Sequence, residues 1–193
     1  TRDALAQQGY AYTALEAGPT GDRAQVIEVI EDVLVAPENP AALIATMADP
    51  GVRIVSLTVT EKGYCHHPAT GALNLDHPDI RHDMTSPLPR SAPGFLVRAL
   101  AARRAAGLRP FTVLSCDNLP HNGAVVRGVV LDLARQIDPG LAEWIAAEGR
   151  FPATMVDRIV PATKPEDLDR VLRLTGIHDT SPVIHEPFRQ WVI

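Results

Sequence analysis

The sequence predicts an α/β domain with a mainly parallel sheet flanked by helices, and three observations carry that prediction. Short runs of β-branched residues alternate along the chain with helical patterns. Two of these runs, Ile54-Val55-Ser56-Leu57-Thr58-Val59 and Phe111-Thr112-Val113-Leu114, are nearly unbroken apolar stretches, as in buried parallel strands. After them, Val126, Val130, Leu133 and Ile137 recur at spacings of four, three and four, which is one face of an α-helix.

The elements follow in order. Tyr10-Ala11-Tyr12-Thr13-Ala14-Leu15 and the stretch 26–35 read as two strands, with Gly18-Pro19-Thr20-Gly21 as the turn of a β-hairpin. Asn39 is placed to cap a short helix and Pro40 suits its first turn; Leu43, Ile44 and Met47 give it an apolar face, and Asp49-Pro50-Gly51 ends it. The stretch 61–90 is irregular and holds four prolines and four of the seven histidines, which marks a functional loop or a surface excursion. Ser91 caps a helix with Phe95, Leu96, Ala99 and Leu100 on one face, stopped by Gly107. The helix through Ile137 is broken at Asp138-Pro139-Gly140. A short helix around Trp144, a strand near Met155-Val156, a helix over 165–174, a strand from Val183 and an apolar strand-like run at 188–193 complete the chain, without internal repeats.

Composition excludes whole classes of function. At 193 residues the chain has the size of one domain, and 46% hydrophobic with 21% charged residues excludes a disordered, collagen-like or coiled-coil chain. Basic residues number 18 and acidic 23, a net charge of −5 that gives no footprint for DNA, RNA or an anionic membrane. Aromatics at 5% argue against a base-stacking platform. Cys65 and Cys116 lie in no CxxC pair, and no run approaches the ~18 apolar residues of a membrane span. Thr1-Arg2-Asp3-Ala4 carries neither a signal-peptide core nor an initiating Met, so the expectation is a cytoplasmic chain that is part of something longer.

Polar residues gather where α/β sheets bind ligands, beyond the carboxyl ends of strands. The run 54–59 leads into Thr60-Glu61-Lys62-Gly63-Tyr64-Cys65, and 111–114 leads into Ser115-Cys116-Asp117-Asn118. Asp117 and Asn118 read either as site residues or as caps of a helix beginning near Pro120. Asp157-Arg158 reads either as part of a site or as a buried ion pair within a strand. Cys116 near His121 reads as a nucleophile with its base or as a small buried thiol. His66, His67, His77 and His82 have no metal-ligand spacing. GxG, GxSxG and GxxxxGK[ST] are all absent.

Five segments together resemble the long-chain mannitol dehydrogenase family, which includes mannitol 2-dehydrogenases and fructuronate reductases. They are Leu57-Thr58-Val59-Thr60-Glu61-Lys62-Gly63-Tyr64, His77-Pro78-Asp79-Ile80-Arg81-His82-Asp83, Ser115-Cys116-Asp117-Asn118, Met155-Val156-Asp157-Arg158-Ile159-Val160-Pro161 and Glu186-Pro187-Phe188-Arg189-Gln190-Trp191-Val192. The resemblance implies that residues 1–193 are a partial Rossmann-like NAD(P)-binding domain. The family's glycine-containing first strand would precede Thr1, and its helical catalytic domain would follow Ile193.

The resemblance also implies roles. Asn118 would be catalytic, donating its amide N–H to the reacting oxygen, and Asp157 would accept from a substrate hydroxyl. Thr60, Glu61 and Ser115 would line the cofactor cleft, with Glu61 at its nicotinamide end. The base would be the lysine of a K-x₄-N-x₂-H pattern; neither Lys62 nor Lys164 starts it, because His67 and Asp169 stand where it needs Asn. No metal is required. The expected activity is NAD- or NADP-dependent interconversion of a polyol or aldonate with its ketose or ketouronate, mannitol/fructose or mannonate/fructuronate. Glu61-Lys62-Gly63-Tyr64-Cys65 and Phe188-Arg189-Gln190-Trp191 look closer to fructuronate reductases, and Leu119-Pro120-His121-Asn122-Gly123 closer to mannitol dehydrogenases. The alternatives are a non-catalytic, self-associating domain fragment and, more distantly, a Cys/His hydrolase.

Overall fold

The computed structural model describes residues 2–193; Thr1, the first residue of the expected domain, lies outside the described residues. The chain runs α1 (Arg2–Gln7), β1 (Tyr12–Gly18), β2 (Gly21–Ile27), α2 (Pro40–Ala48), β3 (Ile54–Leu57), α3 (Thr60–Gly63), α4 (Pro78–Asp83), α5 (Ala92–Ala105), β4 (Thr112–Ser115), α6 (Asn122–Ile137), α7 (Pro139–Glu148), β5 (Met155–Asp157), α8 (Pro165–Thr175), β6 (Val183–His185) and β7 (Gln190–Val192). It divides into two compact units: residues up to Val33 with Asp157–Gln190, and Leu34–Val156 with Trp191–Ile193. The α/β class is as expected. The strands form a three-stranded sheet β2-β1-β6 and two pairs, β3-β4 and β5-β7.

In the first unit the Gly18–Gly21 turn closes the expected hairpin, and β1 pairs antiparallel with β2 from Tyr12↔Ile27 to Gly18↔Gly21. The second strand, expected over 26–35, instead starts directly at the turn with Gly21 and stops at Ile27, because its pairing with β1 runs only from Gly18 to Tyr12. On its other edge β1 pairs parallel with β6, Ala14↔Val183 to Glu16↔His185. Leu15, Ile184 and Val171 form a small core under this sheet. Arg170 of α8 grips Asp22 of β2 through both its Nε and an Nη, each at 2.5 Å. Asp179 is buried and accepts from the backbone N–H of Thr13 and Ser181 and from Gln8 Nε2.

The second unit holds most of the core. β3 and β4 pair parallel, Ile54↔Thr112 to Leu57↔Ser115. Val113 on β4, Leu96 and Leu100 on α5, and Val126, Val130 and Leu133 on α6 are at most 1% exposed. Burying each such side chain stabilises the fold by roughly 1.5–3 kcal/mol. β3 was expected to be buried on both faces, yet Ile54 is 56% exposed, since β4 is its only strand partner among the described residues. Asn39 and Ser91 cap α2 and α5 as expected, accepting from Ala42 and Gly94 N–H. Asp138 both ends α6 and caps α7, accepting from Leu141 N–H.

The irregular stretch is anchored by one carboxylate. His77 and Pro78 start α4, and the Asp83 carboxylate at its end is fully buried. That carboxylate accepts from the N–H of Arg90 and Ser91, from the Ser91 hydroxyl and from His82 Nδ1. It therefore fastens the chain entering α5, which accounts for the His77–Asp83 motif in packing terms. Among the described residues, no helix is long and apolar enough to cross a membrane.

Candidate functional site

Parallel pairing puts Leu57 opposite Ser115, so β3 and β4 end side by side and their loops leave the same edge. The Cys116 N–H donates to the Leu57 carbonyl at 2.8 Å and extends the pairing by one residue. The next residue locks the two loops together. The Asp117 carboxylate accepts from the N–H of Val59 at 3.0 Å, from the N–H of Thr60 at 2.9 Å and from the Tyr64 hydroxyl at 2.6 Å. Tyr64 is fully buried and its oxygen also lies 2.5 Å from Ser115 Oγ. A carboxylate only accepts, so Tyr64 donates to Asp117 and the Ser115 hydroxyl donates to Tyr64. Burial, and then the bond to Asp117, raises the Tyr64 pKa well above the usual tyrosine value.

A second buried polar group holds the loop from below. Asn122 is 0% exposed, and its Nδ2 donates to the carbonyls of Asp117 and Thr154 at 3.0 Å each. Its Oδ1 accepts from Thr154 N–H, and the Thr154 hydroxyl donates to the Ser115 carbonyl at 2.6 Å. Gly123 follows because a Cβ there would meet the Phe151 and Pro152 carbonyls at 2.6 Å. The reading of Asp117 and Asn118 as helix caps is thereby corrected. α6 begins at Asn122, its N-cap is His121 at φ +53°, and no side chain caps it.

What this framework leaves available is specific. Asn118 is exposed in the loop between β4 and α6, and its side chain hydrogen-bonds to no described residue. Thr60 is held at φ +61° by the Asp117 bond, an unusual conformation for a residue with a Cβ. Glu61 is exposed and lines a pocket of about 400 Å³ with Lys62, Cys65, His66, Pro68 and His77. In that pocket's wall His66 Nδ1 is buried without a hydrogen-bond partner. Ser115 is fully buried, its hydroxyl turned to Tyr64. Thr60, Glu61, Ser115 and Asn118 all belong to the second unit, whereas Asp157 belongs to the first, exposed at the end of β5.

Two alternatives lose their geometry. Arg158 makes no ion pair with Asp157; its Nε donates to the Phe188 carbonyl instead. Cys116 has no bond to His121, its thiol contacting the Leu114 carbonyl. Burial, with Asp117 adding to it, raises the Cys116 pKa, so the thiol stays protonated at neutral pH. No group of three or more His, Cys, Asp or Glu could hold a metal among the described residues. The residues that sequence reasoning missed are Tyr64, Asn122 and the locking role of Asp117; a buried Asn four residues past Asn118 carries no signal in a single sequence.

Adjacent parallel strands ending in interlocked polar loops, with α6 packed on β4, are the arrangement of a Rossmann-type α/β domain. The fold matches that of Pseudomonas fluorescens mannitol 2-dehydrogenase in its ternary complex with NAD and D-mannitol, at TM-score 0.95 and 46% identity over 98% of this chain and 39% of that one. It matches a D-sorbitol dehydrogenase at TM-score 0.94 and 38% identity, over 98% and 40%. A family profile, the mannitol dehydrogenase Rossmann domain, matches residues 1–193, and the chain belongs to that family. Aspergillus terreus mannitol 2-dehydrogenase is 48% identical over all of this chain, and the uncharacterized oxidoreductase YeiQ of Escherichia coli is 49% identical over 98% of it. The chain spans 39% of the length of either relative.

Proposed function

We propose that this chain is the Rossmann domain of an NAD-dependent dehydrogenase that oxidises a secondary alcohol of a polyol or aldonate to the ketone. The observation that carries the reading is the 0.95 TM-score to an enzyme caught with NAD and D-mannitol. The local chemistry supports it. Oxidising an alcohol needs a donor for the oxygen as negative charge grows, a base for its proton and an acceptor for hydride.

Asn118 is the donor: its amide is exposed, unpartnered and carried on a loop that Asp117 and Asn122 hold from both ends. The residues fit a dinucleotide. Two parallel strand ends supply the edge, Glu61 lies exposed beside it, and His66 offers a buried ring nitrogen that no described residue satisfies. Thr60 and Glu61 would hold the nicotinamide end, and Ser115 supports them through Tyr64 and Asp117. NAD, when bound, supplies the hydride acceptor. Asp157 orients a substrate hydroxyl by accepting from it. The base is a lysine in the part of the protein beyond this chain, as in the family's K-x₄-N-x₂-H pattern. The compartment proposed is the cytoplasm, where the free thiols Cys65 and Cys116 suit the redox conditions.

The test is the full-length protein assayed for NADH and NADPH formation with D-mannitol, D-sorbitol and D-mannonate. Turnover with NAD and at least one of these supports the reading. No turnover with any pair overturns it.

A further inference from the structure

The hairpin unit holds a pocket of about 530 Å³ on one face of the β2-β1-β6 sheet. Its floor follows from strand register. Residues two apart share a face of a strand, so Tyr12, Ala14 and Glu16 all look into it from β1. Glu16 pairs with Arg23 on β2 and with His185 on β6, which makes Arg23, Glu16 and His185 one row across three strands. The next row is Gln25, Ala14 and Val183. Arg158 and Arg189 close the polar side of the wall.

Three guanidinium groups face one carboxylate, so the pocket is positive within a chain whose net charge is −5. The charges are also free to act. Glu16 and Arg23 are cross-strand neighbours yet form no ion pair, and Arg189 has no partner among the described residues. Arg158 uses only its Nε, on the Phe188 carbonyl at 3.2 Å, and keeps its terminal nitrogens. His185 Nδ1 lies 2.8 Å from the Glu186 carbonyl. A carbonyl only accepts, so Nδ1 carries the proton, and in the neutral ring Nε2 is an acceptor.

We propose that this pocket binds a polyhydroxylated anion, a sugar acid or a sugar phosphate. The free guanidinium groups of Arg23, Arg158 and Arg189 take the carboxylate or phosphate oxygens. Glu16, Gln25 and His185 Nε2 accept from the ligand's hydroxyls, and Tyr12 and Val183 cover its C–H face. A neutral polyol satisfies only the acceptors and leaves the positive charge uncompensated. The site lies wholly within the first unit and is argued independently of the residues around Asn118.

The experiment is calorimetric titration of the 193-residue chain with D-gluconate, D-glucose 6-phosphate and D-mannitol at low ionic strength. At least one anion binds about tenfold or more tightly than mannitol, and which anion binds tells carboxylate from phosphate recognition. Arg23→Gln and Arg189→Gln each weaken that binding about tenfold, while Glu16→Gln, which removes the one carboxylate, tightens it. The side chains of Arg23, Arg189 and Glu16 bond to no described residue, so these variants keep the wild-type melting temperature; should either arginine variant fail to fold, the sign of the Glu16→Gln effect decides. Neither anion binding, mannitol binding as tightly as both, or Glu16→Gln weakening the complex would overturn the proposal. Because the readout is binding, absence of dehydrogenase turnover leaves it untouched.

Discussion

The Tyr64 hydroxyl donates to the Asp117 carboxylate at 2.6 Å, joining two loops that leave neighbouring parallel strands. Ser115, Tyr64 and Asp117 form a relay of hydroxyl, phenol and carboxylate in which each donor has one acceptor. Asp117 spreads that bond onto the backbone of Val59 and Thr60, so one carboxylate fixes both the strand exit and the positive φ of Thr60. Asp117→Ala should therefore destabilise the chain by about 1.5–3 kcal/mol, the range for hydrogen bonds to a charged group. Tyr64→Phe should remove part of the same energy, and the double variant should show a coupling of about 0.5–3 kcal/mol. Denaturant midpoints of the four proteins measure it; strict additivity would show that the relay is not a unit.

Tyr64 also sets an alkaline limit. Burial and the bond to Asp117 raise its folded pKa above that of an unfolded tyrosine, which is about 10. Below pH about 10 both states keep the proton and the stabilisation is complete. Above it the unfolded chain ionises first, so stability falls as pH rises. Unfolding midpoints between pH 8 and 11, approximate bounds around that pKa, should decline more steeply for the wild type than for Tyr64→Phe.

At the acid end the first unit answers to Asp179. Burial alone would raise its pKa, but bonds from Gln8 and from the N–H groups of Ser181 and Thr13 outweigh burial and lower it. A depressed carboxyl pKa stabilises above the unfolded value, about 3.9, and that contribution is lost as pH falls through the folded value. Wild-type stability should drop below pH about 4, and Asp179→Asn should flatten the drop while lowering stability at neutral pH. Melting temperature against pH for both proteins provides the check.

How much of this was legible in the sequence depends on the range of the interaction. The hairpin turn at Gly18–Gly21, the caps at Asn39 and Ser91 and the apolar face of α6 are local signals, and each appears where its residues predict it. The end of β2 at Ile27 was not legible, because a strand stops where its partner stops and pairing is not written in one strand. The exposure of Ile54 was hidden for the same reason. Around the site, the polar strand ends are visible as clusters, but the sequence leaves Asp117 open between a site residue and a cap, because the donors it satisfies lie 53–58 residues away. Asn122 carries no local signal, because its three carbonyl acceptors come from β4, the following loop and Thr154.

Neither thiol should behave as a nucleophile. Burial pushes Cys65 up to about 11, with the Asp79 and Asp83 charges adding to it, and burial also raises Cys116. A thiol is nucleophilic only as the thiolate, so both should react slowly with iodoacetamide at neutral pH and rapidly once the chain is unfolded. Mass spectrometry of partial alkylation reads this directly. Cys116→Ala should leave dehydrogenase turnover of the full-length protein unchanged; its loss would restore the nucleophile reading.

Asn118 separates a chemical role from a structural one. Its side chain is exposed and bonds to no described residue, so Asn118→Ala should shift the melting temperature by less than about 2 °C, the range of an ordinary surface change. In the full-length protein the same variant should lower kcat by roughly 10²–10³-fold, the usual loss for one donor to a developing oxyanion. The hydrogen bond strengthens as charge grows on the oxygen, so substrate affinity should change far less than turnover, and NADH affinity hardly at all. Asn118→Asp should be at least as slow as Asn118→Ala, because a carboxylate cannot donate and would repel the alkoxide. A capping residue would give the opposite pattern, a loss of about 0.5–2 kcal/mol in stability with normal turnover per folded molecule. Melting temperature and kcat taken on one preparation tell the two apart, and full activity in Asn118→Ala would remove the residue from the reaction.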